Sequence, residues 1–96
     1  MDIQAQELKE RLEKGEAINL IDVREEWEYE ERNINAKNIP LGTLPNRLDE
    51  IGAGKDDEII VHCKSGGRSG QAQKFLISKG YTNVRNLLGG IDGYPA

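Results

Sequence analysis

The chain has 96 residues, of which 36% are hydrophobic and 31% are charged, and its formal net charge at pH 7 is −4. This size fits one compact domain over residues 1–96, and the composition is typical of a globular rather than a disordered chain. No basic stripe offsets the negative charge, which argues against nucleic acid as a partner.

The chain contains one cysteine and one histidine. One cysteine cannot form an intramolecular disulfide, and this small ligand set argues against a zinc site, so we expect no metal and no cofactor. No apolar run approaches the ~20 residues of a membrane span, and residues 1–7 lack the basic and apolar parts of a signal peptide. We therefore expect a reducing, cytoplasmic setting without membrane contact. A monomer is the simplest assumption for so small a chain.

Hydrophobic periodicity predicts helices and strands that alternate along the chain. The predicted helices cover residues 5–14, 25–31, 45–51 and 69–79, and the predicted strands cover residues 18–22, 37–39, 58–61 and 84–88. Gly15 and Gly80 should end helices, Pro45 suits the first turn of a helix, and Gly89-Gly90 should open a final helical turn. The alternation predicts an α/β protein with a mostly parallel sheet and helices on both faces.

The single cysteine, Cys63, lies on a predicted turn between a strand and a helix, in the run HCKSGGRS at 62–69. Backbone N–H groups in such a turn, together with a helix N-terminus, can converge on an anion. Lys64 and Arg68 add two positive charges to the same loop. These features favour the thiolate, which is the nucleophilic form of cysteine. The loop therefore predicts chemistry on sulfur, with the Cys63 side chain at the protein surface.

The run at 63–69, here called the active loop, resembles the active loop of single-domain rhodaneses, the thiosulfate sulfurtransferases. Further matches follow in the family's order and spacing: LIDVRE at 20–25, EY at 28–29, NIPL at 38–41 and LGGI at 88–91. Residues 31–36 lack the histidine of the family's GHIxGA stretch, and Tyr94 replaces a common tryptophan, but both departures lie outside the loop. The resemblance implies a rhodanese-like three-layer fold with a mostly parallel five-stranded sheet.

The resemblance also implies a double displacement through Cys63. Its thiolate attacks the outer sulfur of a small anionic donor such as thiosulfate, and sulfite leaves. The resulting persulfide passes its sulfur to cyanide or to a thiol, such as that of thioredoxin or another sulfur-carrier protein. Substrate-binding residues are expected in the same loop: Lys64, Ser65, Gly66, Gly67, Arg68 and Ser69.

Each of these side chains also has an ordinary structural interpretation. Arg68 could bind the oxyanion end of the donor as a bidentate fork, or form an ion pair that shapes the loop. Lys64 could steer anions or simply be solvated. Ser69 is expected to cap the following helix rather than donate to the persulfide. Gly66 and Gly67 are expected to adopt backbone angles that turn N–H groups inward.

Asp22 ends a predicted strand and Arg24 follows it, so both lie at the carboxyl edge of the sheet where ligands bind. We expect them to support the active loop through hydrogen bonds and ion pairs rather than to take part in the chemistry. His62 lies between the predicted strand at 58–61 and Cys63, and successive residues of an extended chain face opposite sides. Its ring should therefore point away from the thiol and have a structural role.

Two other functions compete with this interpretation. Cysteine phosphatases and arsenate reductases of related architecture use a C-x5-R loop, whereas four residues separate Cys63 from Arg68 here. The shorter loop makes a smaller cradle, suited to one sulfur rather than to a tetrahedral phosphate. A sulfur-relay or interaction module that acts on a partner protein would leave the same residue pattern.

Overall fold

The structure of this protein is a computed structural model that describes residues 2–95. Helices α1, α2 and α3 span Ala5–Glu13, Glu26–Glu31 and Gly67–Ser78. Strands β1, β2, β3 and β4 span Leu20–Asp22, Lys37–Asn38, Ile59–His62 and Val84–Asn86. Short 3₁₀ segments cover Leu41–Asn46, Leu48–Glu50 and Ile91–Gly93. None of the described helices is both long and apolar enough to cross a membrane.

The four strands form one parallel sheet in the order β2-β1-β3-β4. In the register of β1 with β3, Asp22 pairs with His62. Parallel strands end at the same edge of a sheet, so Asp22, His62 and Asn86 close three neighbouring strands at one carboxyl edge. The active loop begins at this edge, as the strand order in the sequence predicted.

Over residues 2–95, the sheet has four strands and not the five that the family resemblance implied. The segment before α1 runs along β4 but forms only an isolated parallel bridge, between Ile3 and Leu87. The Ile3 N–H group donates to the Asn86 carbonyl at 3.0 Å, and the Leu88 N–H group donates to the Ile3 carbonyl at 2.9 Å. Because α1 begins at Ala5, the chain has no room there to extend the pairing into a strand.

Two apolar clusters cover opposite faces of the sheet and give the fold three layers. Ile59 and Val61 of β3 pack in one cluster with Leu76 of α3, and Ile60 packs in the other with Leu8 of α1. Successive residues of β3 thus face opposite clusters, as expected for a strand that is buried on both faces. The prediction of helices on both faces is confirmed.

The helix predicted from Pro45 onward is wrong. Pro45 lies near the end of the 3₁₀ segment Leu41–Asn46, and a second 3₁₀ turn covers Leu48–Glu50. The Pro40 carbonyl accepts hydrogen bonds from both the N–H group and the hydroxyl of Thr43, each at 2.8 Å. These contacts close the tighter i to i+3 turn in place of an α-helical one.

The segment after β4 holds the active loop through its backbone. The Ile91 N–H group donates to the Cys63 carbonyl at 2.9 Å, and the Asp92 N–H group donates to the Lys64 carbonyl at 3.0 Å. Gly90 has a φ of +59°, and a Cβ atom there would overlap the Lys64 carbonyl and lie 2.7 Å from the Cys63 carbonyl oxygen. Only glycine permits so close an approach. Residues 90–92 therefore act as a backbone clamp on the loop.

We predict that Gly90→Ala lowers the free energy of unfolding by about 2–4 kcal/mol, because the new Cβ atom opens the clamp and strains the backbone. Gly42→Ala is the matched control, since its Cβ atom would meet nothing within 4 Å and its φ is not positive. Urea unfolding should place the control within about 0.5 kcal/mol of the parent. Equal stability of the two variants would mean that the clamp contributes nothing.

Candidate active site

The active loop runs from the end of β3 into the first turn of α3. Gly66 precedes the helix as its N-cap and has a φ of +119°, in the left-handed region that favours glycine. This angle turns the Gly66 N–H group toward the Cys63 sulfur, as predicted. Gly67 does not behave in the same way, because it is the first residue of α3 and its φ is not positive.

The Cys63 sulfur lies among hydrogen-bond donors. Its Sγ atom accepts from the Gly66 N–H group at 3.1 Å and lies 3.3 Å from the hydroxyl oxygen of Ser69. Burial raises the pKa of the Cys63 thiol, but hydrogen bonds from the Ser69 hydroxyl and from the N–H groups of Ser69, Gly66 and Ser65 outweigh it. The net pKa lies below the ordinary cysteine value. The N-terminus of α3 adds its dipole in the same direction.

Cys63 is only 1% exposed, so the expectation of a surface side chain is wrong. The residue belongs to the apolar cluster that also contains Val61 and Ala72, and the backbone clamp covers its carbonyl. The site therefore combines an apolar wall with donors aimed at one atom. A site of this kind fits a single sulfur anion.

Ser69 faces the sulfur and does not cap the helix, which corrects the prediction. It is the third residue of α3, and its hydroxyl lies 2.6 Å from the side-chain carbonyl of Asn86, at the end of β4. The Asn86 side-chain amide also donates to the Gly66 carbonyl at 3.2 Å. Asn86 thus links the end of β4 to Ser69 and to Gly66, the two residues whose hydroxyl and N–H groups face the Cys63 sulfur.

The Arg68 guanidinium forms a bidentate ion pair with Glu28 of α2. The Nη1 atom lies 2.6 Å from Oε1, and the Nη2 atom lies 3.0 Å from Oε2. The Glu28 Oε1 atom also accepts the Glu25 N–H group in a capping box at the start of α2. The hydrogen bonds from Arg68 lower the pKa of Glu28 to about 2. Arg68 is therefore placed as the ion-pair interpretation expected, and substrate binding by this side chain stays a prediction.

Asp22 and Arg24 form a buried ion pair under α2. The Arg24 Nε atom donates to Asp22 Oδ1 at 3.0 Å, and its Nη2 atom donates to Oδ2 at 2.7 Å. The same Nη2 atom donates to the Arg32 carbonyl at 2.7 Å, at the end of α2. The pair does not contact Arg68 itself. It holds the end of α2, and Glu28 of α2 holds Arg68 of the active loop, so the support is indirect.

Lys64 forms an exposed ion pair with Asp92, at 3.0 Å. Both residues line a cleft of about 260 Å³ beside the loop, together with the largely exposed ring of Trp27. Exposed pairs of this kind contribute little to stability. Steering of anions by Lys64 stays a prediction.

His62 is fully buried, and its ring faces Asp22 on the neighbouring strand. The Nε2 atom lies 3.8 Å from Asp22 Oδ2, too far for a hydrogen bond, while the Nδ1 atom lies 3.3 Å from the Cys63 carbonyl oxygen. Burial lowers the pKa of His62 and so favours the neutral ring. This placement fits the predicted structural role.

Two residues of the site were not identified from the sequence. In the sequence, Glu28 stands out only as part of the EY motif, and its pairing with Arg68 joins positions 40 residues apart. Asn86 belongs to none of the family motifs, but it ends β4 at the same carboxyl edge of the sheet as Asp22. Its place at a strand end could therefore have identified Asn86 as a candidate site residue.

We predict that Glu28→Gln lowers the free energy of unfolding at pH 7 by about 1–2 kcal/mol, because Arg68 loses a charged partner. The carboxylate has a lowered folded pKa, so its contribution is fully present above pH 4.5 and is lost toward pH 2. Urea unfolding at pH 7 and at pH 3 should therefore give a smaller difference between parent and variant at pH 3. Glu50→Gln, in the exposed pair with Arg47, is the control and should change little. A difference that does not depend on pH would contradict the charge-based account.

Comparison with known proteins agrees with this geometry. Residues 4–96 match the family described as Rhodanese-like domain. The chain is 37% identical to a sulfurtransferase of Allochromatium vinosum, over 94% of this chain and 83% of that protein. It is 39% identical to the thiosulfate sulfurtransferase PspE of Escherichia coli, over 76% of this chain and 71% of that protein.

Two further matches concern the fold and the range of relatives. The crystal structure of SSP1007 from Staphylococcus saprophyticus has a TM-score of 0.86 and 32% identity, and covers 98% of this chain and 92% of that one. The putative sulfur carrier protein YrkF of Bacillus subtilis is 34% identical over 94% of this chain and 48% of that protein. The chain therefore belongs to the rhodanese-like family, in which it shares its fold with proteins named as sulfurtransferases.

Proposed function

We propose that this protein is a sulfurtransferase that takes a sulfane sulfur from thiosulfate, or from a similar small anionic donor, onto Cys63. One observation carries the proposal: the buried Sγ atom has the Gly66 N–H group at 3.1 Å and the Ser69 hydroxyl at 3.3 Å. Donors aimed at a buried sulfur stabilise its anion, which is the attacking form. The relative named as a thiosulfate sulfurtransferase supports the choice of donor.

The reaction has two displacements at sulfur. In the first, the Cys63 thiolate attacks the outer sulfur of thiosulfate, the S–S bond of the donor breaks, and its electron pair leaves with sulfite. Cys63 then carries a persulfide whose negative charge lies on the outer sulfur. In the second, cyanide or a thiolate attacks that outer sulfur and the Cys63 thiolate leaves. No general base is required in this scheme, because the hydrogen-bond donors around Sγ favour the thiolate.

The rest of the active loop would bind the donor and the outer sulfur. Backbone N–H groups at Ser65, Gly66 and Gly67 are the proposed cradle for the charge, with Lys64 as a steering cation. We propose that Arg68 contacts the oxyanion end of the donor while it keeps its pair with Glu28. The Nη atoms of Arg68 contact Glu28, whereas its Nε–H group does not.

A sulfur-relay function is the second candidate. A relative named as a putative sulfur carrier protein favours it. In that case a persulfide on a partner such as thioredoxin or another sulfur-carrier protein, rather than thiosulfate, would be the donor or the acceptor. Sulfur uptake from a small persulfide without any uptake from thiosulfate would favour the relay over the thiosulfate reaction.

A phosphatase or arsenate reductase activity has less support. Four residues separate Cys63 from Arg68, where those enzymes have five. The arginine that would hold a phosphate is held by Glu28 at two atoms. The cytoplasmic setting, the monomeric state and the single-domain organisation of residues 1–96 stay predictions alongside the proposed function.

We predict that Cys63→Ser lowers the rate of thiocyanate formation from thiosulfate and cyanide by at least about 10³-fold, because a serine hydroxyl stays protonated and is a poor nucleophile. The swap is small, so the variant should stay folded, which urea unfolding can check. Ser78→Ala, at the far end of α3, is the control and should keep the parental rate. Parental activity in Cys63→Ser would show that another group accepts the sulfur.

A further inference from the structure

The Ser69 hydroxyl has one proton and three acceptors within reach. Its oxygen lies 2.6 Å from Asn86 Oδ1, 3.2 Å from the Gly66 carbonyl oxygen and 3.3 Å from Cys63 Sγ. Ser69 is fully buried and Asn86 is 9% exposed, so these protein atoms compete for the proton. A hydroxyl can donate to only one of them at a time.

The orientation of the Asn86 amide follows from its other contact. Its Nδ2 atom donates to the Gly66 carbonyl at 3.2 Å. The flipped amide would place two carbonyl oxygens at that distance, so Oδ1 is the atom that faces Ser69. The Gly66 carbonyl also accepts the Gly70 N–H group at 2.9 Å, and it therefore keeps a donor if Asn86 is replaced.

We propose that Asn86 is a positioning residue whose side-chain carbonyl competes with the Cys63 sulfur for the proton of Ser69. The inference rests on the proposed function, which makes Cys63 the reacting group. While Cys63 is a neutral thiol, the hydroxyl donates to Asn86 over the shorter distance. When Cys63 is a thiolate, the hydroxyl turns to the anion, and Asn86 Oδ1 loses its donor in a buried site, at a cost in free energy.

This competition connects Asn86 to both halves of sulfur transfer. In the sulfur-free enzyme, the charge on Sγ attracts the Ser69 proton. Once the new S–S bond has formed, Sγ is neutral and the charge lies on the outer sulfur. The hydroxyl can then return to Asn86, and the backbone N–H groups hold the outer sulfur. Asn86 thereby stabilises the persulfide form relative to the free thiolate.

Charged and titratable groups adjoin this cluster on three sides. Arg68 precedes Ser69 on α3, and His62, the last residue of β3, precedes Cys63. The Asp2 carboxylate accepts the Asn86 backbone N–H group at 3.1 Å. The variants proposed below leave these groups in place. A change in thiol reactivity therefore reports on the two side chains that share the proton.

The test measures the rate at which iodoacetamide alkylates Cys63 as a function of pH, without any sulfur donor. Asn86→Ala and the similarly sized Asn86→Leu both remove the competing acceptor, and the leucine leaves no space for a replacement water. We expect the reactivity midpoint to move to lower pH, with alkylation below the midpoint about threefold faster. In a Ser69→Ala background, the same replacements should not lower the midpoint.

Asn86→Asp is the matched control, because it keeps an acceptor at this position and adds a negative charge. Its midpoint should move to higher pH. If Asn86→Ala and Asn86→Leu instead raised the midpoint equally with and without Ser69, Asn86 would only hold the Gly66 peptide, and the proposal would be wrong. Alkylation needs no sulfur transfer, so this outcome and the failure of the proposed function can be told apart.

Discussion

A sulfur anion is stable inside a protein only where hydrogen-bond donors replace the water that burial removes. Cys63 is 1% exposed, and the surrounding fold supplies those donors. The left-handed φ of Gly66 turns one N–H group onto the sulfur, and the first turn of α3 brings the Ser69 hydroxyl beside it. The backbone clamp at Gly90 fixes the peptide groups on the other side of the loop. This geometry explains how burial and a lowered thiol pKa coexist.

A second layer of contacts holds the cradle in place. The buried pair of Asp22 with Arg24 anchors the end of α2, and Glu28 on α2 holds Arg68 at the rear of the active loop. A bidentate contact such as that of Arg68 with Glu28 fixes the orientation of both side chains as well as their position. The loop is thus fixed by two ion pairs, Asp22 with Arg24 and Glu28 with Arg68, which are joined through the hydrogen bond from Arg24 to the end of α2. The same contacts limit the freedom of Arg68 to reach a substrate.

Much of this arrangement could be predicted from local sequence. The alternation of strand and helix patterns along the chain predicted the parallel sheet. The position of Cys63 after a buried strand predicted that the loop lies at the carboxyl edge of that sheet. The pairing of Glu28 with Arg68 and that of Asn86 with Ser69 could not be predicted, since each joins segments that meet only in the fold. In place of a fifth strand, the structure has one isolated bridge at Ile3, because α1 begins only two residues later. The family resemblance could not indicate how much of this segment pairs with β4.

The most direct test of the account is the intact mass of the protein after brief exposure to thiosulfate. We predict one added sulfur per chain, which is lost on addition of cyanide and is absent from a chain in which Cys63 is blocked beforehand. A mass that does not change under thiosulfate, while Cys63 alkylates readily at acid pH, would contradict the central claim. The loop would then hold a thiolate that accepts no sulfur from this donor.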